Sequence, residues 1–65
     1  MADRFTLIAR KAAVRQHIGQ LQRELVQVQA KQPPAPHQID RLQRQIEQLM
    51  AEEYNLRVAI DQAAR

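Results

Sequence analysis

No cysteine occurs among the 65 residues, and glycine occurs once, at Gly19. Without cysteine there is no disulfide framework, and two histidines, His17 and His37, are too few for a structural zinc site. Aromatic residues are limited to Phe5 and Tyr54, too few for the core of a sandwich or barrel. A single glycine leaves no phosphate-cradling loop, and neither a nucleophile elbow nor a paired-histidine zinc motif is present. No apolar run exceeds three residues, as in Leu7-Ile8-Ala9, so nothing reads as a bilayer span or a signal-peptide core. A soluble, cytoplasmic chain is expected, since a cysteine-free composition suits a reducing compartment.

What is present favours helix. Ten alanines and eleven glutamines are spread along the chain, and both residue types are good helix formers. A chain of this size has a core that rarely supplies more than about 3 to 5 kcal/mol of net stability. With disulfides and metals excluded, association is the remaining source of stability. The net charge of +3 hides an asymmetry. Residues 1–23 carry Arg4, Arg10, Lys11, Arg15 and Arg23 against Asp3, a balance of +4. Residues 38–65 carry four arginines against five carboxylates, a balance of −1.

Apolar residues repeat with a heptad period. Leu7, Val14, Leu21 and Val28 take d positions, with Ile18 and Leu25 at a. A second seam runs through Ile39, Leu42, Ile46, Leu49, Leu56, Ile60 and Ala63. Between the two lie Pro33, Pro34 and Pro36, which break helix. The spacing predicts one all-α unit over residues 1–65: a first helix over about 4–32, a proline-rich turn at 33–36, and a second helix over about 37–63. Asp3 suits the N-cap of the first helix, and Pro36 the start of the second.

If the chain reverses at the prolines, seam residues meet in layers whose numbers share the sum 67: Val28 with Ile39, Leu21 with Ile46, Leu7 with Ile60. Each layer matches an a with a d, as an antiparallel coiled-coil-like hairpin requires. Between Leu7 and Ile60 two seam positions are charged, Lys11 and Glu53. They fall in adjacent layers, which predicts a buried polar pair that fixes the register at some cost in stability.

Outside the seam, Phe5, Ala12, Gly19 and Val26 occupy the four b positions of the first helix, and Ile8 stands beside them at e. The second helix offers Met50, Tyr54 and Val58. An apolar stripe on a face expected to meet water reads as a partner-binding surface. It suits a second copy that completes a four-helix bundle, or a helical segment of another protein.

The functional expectation is a non-catalytic protein–protein interaction module: an adaptor, a co-chaperone-like helper subunit or a self-associating hairpin. The chain is similar in size and architecture, though in no motif, to the hairpin co-chaperones of type III secretion needle subunits. The alternative is a small dimeric helical bundle that binds RNA, with Arg4, Arg10, Arg15 and Arg23 as phosphate contacts. Those arginines take a, g, e and f positions and wind around the helix, which favours the first reading. His37 and Asp40 offer two ligands beside a loop, too few for a metal site, and His17 at g pairs with Glu52 or faces water. No cofactor is expected.

Overall fold

A computed structural model describes residues 3–63, and among these the chain is two helices: α1, Arg4–Ala30, and α2, Pro36–Ala63. They pack side by side as a hairpin 51 Å long and 14 Å across in both other directions.

Each helix end has a local cause. The Asp3 carboxylate accepts the Thr6 backbone N–H at 2.7 Å, and the Asp3 carbonyl accepts the Leu7 N–H at 3.1 Å, which sets the first turn of α1. At the far end Lys31 takes an extended conformation, and its N–H closes on the Val28 carbonyl at 3.2 Å. The helix stops two residues short of the sequence expectation. Pro33 excludes Gln32 from helical geometry, and the extended Lys31 has already carried the chain out of line. The second helix opens at Pro36, one residue earlier than expected. Proline lacks only an N–H that a first turn leaves unpaired, and the Ile39 N–H reaches the Ala35 carbonyl at 3.0 Å.

The core is a single line of side chains. Val14, Ile18, Leu21, Val28, Leu42, Ile46 and Leu56 are buried, with Leu7, Leu25, Ala35, Ile39 and Leu49 packed half-buried against them. All seven buried residues come from the two heptad seams. At the open end Ile60 is half-buried and Ala63 exposed, so the seam frays toward the chain ends. Ala35, in the turn, covers the closed end of the seam. None of these side chains falls below 2% exposure, because two cylinders cannot enclose what lies between them.

The buried polar pair expected from Lys11 and Glu53 is not formed. No polar or charged residue is buried among the described residues. Lys11 and Glu53 are each half-buried, and the Glu53 carboxylate meets Arg15 Nε at 3.7 Å instead. The reason is geometric. A two-helix seam is open on both flanks, so a long side chain at an a position leaves sideways toward water. Arg15, at e, stands at the height of Glu53 on that same flank.

Candidate partner-binding face

The two flanks of the seam differ in chemistry. The Arg15–Glu53 contact belongs to one flank, where Arg15, Ile18, Gly19, Gln22 and Glu53 line a shallow cleft of about 200 Å³. On the other flank a cleft of about 210 Å³ is lined by His17, Leu21, Gln45, Gln48, Leu49 and Glu52. His17 and Glu52 border this second cleft without an ion pair between them, since the ion pairs among the described residues are Arg15–Glu53 and Arg44–Asp40. Outside the seam leucines Leu21 and Leu49, the His17 cleft is bordered by polar side chains.

Helical geometry places the apolar stripe on the Arg15 side. Ile8 lies seven residues, two turns, before Arg15 and therefore on the same strip, and Phe5, Ala12, Gly19 and Val26 follow the adjoining b strip. On α2, Met50 lies three residues before Glu53 and Tyr54 one residue after it. Val58 follows Tyr54 by one turn. Thus Phe5, Ile8 and Ala12 from α1 share one face with Met50 and Tyr54 from α2, from mid-hairpin to the open end, with Val58, at f, on its outer edge. Val26 stands apart from them, near the turn.

These residues are on the outside. Phe5 is 81% exposed, Tyr54 65% and Val26 65%, and Ile8, Met50 and Val58 are also exposed. Ala12 is exposed and Gly19 half-buried. A Cβ added at Gly19 would find only the Arg23 guanidinium, at 4.0 Å. Nothing within the hairpin therefore requires glycine there.

The arginines of the alternative reading do not converge. Arg15 is paired with Glu53, and Arg23 Nε–H donates to the Gly19 carbonyl at 3.4 Å along its own helix. Arg4 and Arg10 belong to different strips, a and g. Asp40, set beside His37 in the sequence, pairs with Arg44 at 3.2 Å. Among the described residues no three His, Cys, Asp or Glu side chains group as metal ligands. No helix among them is long and apolar enough to cross a membrane.

At the start of α1 the cap shifts the ionisation of Asp3. Hydrogen bonding from the Thr6 backbone N–H holds the Asp3 carboxyl below its ordinary value, and the Phe5 N–H adds to the effect.

The packing of α1 on α2 along one apolar seam defines this chain as a helical hairpin. Comparison with known protein families, curated proteins and solved structures yields no match.

Proposed function

We propose that the chain is a non-catalytic, cytoplasmic protein–protein interaction module whose apolar face is covered by further helices, so that the hairpin becomes half of a four-helix bundle. The observation that carries this reading is the pair Phe5 and Tyr54: the chain's only aromatic residues stand exposed, one on each helix, on one face. Monomers rarely spend their largest apolar side chains in this way unless the patch meets something. Scattered surface aliphatics would also be expected on the His17 face, whose borders are glutamine, glutamate and histidine.

Size supports the same reading. The chain exposes 5362 Å², whereas a compact monomer of 7.6 kDa exposes about 4,300 Å². Its radius of gyration is 15.0 Å, against about 11 Å for a compact chain of this length. A partner that covers one side of the hairpin removes part of that excess surface.

Photo-crosslinking in cells provides the test. A benzophenone amino acid in place of Phe5 is expected to yield a protein adduct, and the same probe in place of Gln20, on the polar face, none. Absence of any adduct from Phe5, or equal labelling from both positions, would remove the proposal.

A further inference from the structure

We infer that the occupant of the apolar face is a second copy of the chain, rotated about a twofold axis that runs along the hairpin, so that α1 of each copy lies on α2 of the other. This deepens the interaction reading and rests on it.

An isologous contact requires a face that is its own complement under a twofold rotation. Charge meets that requirement. On this face α1 presents Arg4, Lys11 and Arg15 and no carboxylate. The facing strips of α2 present Asp40, Glu47, Glu53 and Asp61 with Arg57, and Arg44 on the next strip is paired with Asp40. A hairpin laid face to face on its copy has two twofold axes available in the plane of contact. An axis across the long direction sets α1 on α1, base against base. An axis along it sets α1 on α2 of the second copy at the same height, base against acid, with antiparallel neighbours throughout as in a four-helix bundle. The Arg15–Glu53 pair, 3.7 Å apart in each chain, then meets its symmetry mate to form a ring of alternating charge.

Size meets the requirement too. Under the lengthwise axis Ala12 of one copy stands opposite Tyr54 of the other, and Gly19 comes beside Met50. The two smallest residues of the face, Ala12 and Gly19, are on α1 and lie level with Tyr54 and Met50 of α2, while Phe5, Ile8 and Val26 are the larger side chains of α1. Gly19, which the hairpin itself does not need, gains a reason: a side chain there would press on α2 of the second copy beside Met50. The area is adequate as well. The surface in excess of a compact monomer is about 1,000 Å² per chain, and a standard interface removes about 800 Å² from each partner.

The experiment uses the purified full chain. Sedimentation equilibrium at micromolar concentration is expected to give twice 7.6 kDa. A mixture of Ala12→Cys and Tyr54→Cys chains, treated with a short bismaleimide, is expected to give a crosslinked dimer, and Ala12→Cys alone very little. Any of three results overturns the proposal: a monomer at every concentration, an assembly larger than two, or Ala12→Cys crosslinking to itself as readily as the mixture does. A monomer in the centrifuge combined with a Phe5 adduct of some other mass in cells removes the second copy and leaves the interaction module standing. Loss of both signals removes both.

Discussion

At the scale of single residues, the start of α1 makes a prediction about pH. The Asp3 carboxylate accepts the Thr6 N–H, and this bond holds its pKa in the folded chain below the unfolded value near 3.9. A depressed pKa means that the carboxylate stabilises the fold at every pH above the unfolded value. That contribution fades as pH falls through the lowered one. Asp3→Asn keeps an acceptor at the cap but cannot titrate, so its helicity, followed by circular dichroism from neutral pH down to the acid range, is expected to fall less than that of the wild type. Asp3→Ala is expected to lower Tm by a few degrees already at neutral pH. Equal acid sensitivity in the wild type and Asp3→Asn would show that other carboxylates govern the acid limb.

Glu53 illustrates how a residue's setting revises what its heptad letter suggests. An a-position carboxylate facing a lysine across a closed seam would be a buried ion pair, and removing it would cost several kcal/mol. In the hairpin its side chain is 30% exposed and that of Arg15 68% exposed, the regime of surface pairs worth about 0.2 to 1 kcal/mol. Glu53→Ala is therefore expected to change the unfolding free energy by less than about 1 kcal/mol in denaturant titrations. A loss of several kcal/mol would mean that the pair is desolvated in solution, as the twofold dimer would make it.

At the scale of the helices, legibility in the sequence follows from periodicity. The seven buried residues all sit at heptad positions, because a rigid 3.6-residue repeat commits every side chain to a direction once the seam is chosen. Proline fixes where that repeat must stop, and so the hairpin is legible as well. The ends of the helices shifted by one or two residues because they depend on which backbone groups find partners. Lys31 closing on Val28 and Ile39 on Ala35 leave no pattern in the sequence. Lys11 and Glu53 were misassigned for a related reason. A heptad letter states which residues approach the seam but not how far the seam is enclosed, and enclosure depends on how many helices surround it. The stripe of Phe5, Ile8, Ala12, Gly19 and Val26 was visible in the sequence. Met50, Tyr54 and Val58 are legible beside it as its weaker counterparts on the second helix, and the Arg15–Glu53 contact identifies the flank they border.

The same single-line core sets how α1 and α2 respond to truncation. Leu42 is 5% exposed and in the line of contact, and a buried leucine cut back to alanine costs about 2 to 5 kcal/mol. A chain of this size has about 3 to 5 kcal/mol in all. Leu42→Ala is thus expected to lose most of its helical signal at room temperature, unless association holds it folded. Val58→Ala, outside the line, is expected to leave the helicity of a dilute sample unchanged. If Leu42→Ala remained as helical as the wild type at high dilution, the two helices would be stable without each other and the seam would not be the core.

For the whole molecule the decisive quantity is concentration. A hairpin that suffices for itself unfolds at a Tm independent of how much chain is present. One that folds as half of a bundle gains stability from mass action, because dilution favours separated chains. The proposed pairing puts this chain in the second class, so Tm followed by circular dichroism is expected to rise steadily over a hundredfold increase in chain concentration. Gly19 separates the hairpin's contribution from that of the pairing. Within one chain, Gly19→Ala replaces a poor helix former by the best one and meets nothing closer than the Arg23 guanidinium at 4.0 Å, a gain of about 0.5 to 1 kcal/mol. Gly19→Leu also improves helix propensity, yet it sets a branched side chain where Met50 of a second copy has to lie. In dilute solution both variants are expected to melt above the wild type. In concentrated solution the leucine variant is expected to fall behind, with a Tm nearly independent of concentration. If instead Gly19→Leu kept the full concentration dependence of the wild type, whatever association exists would use another face, and the lengthwise twofold packing of α1 on α2 would be wrong.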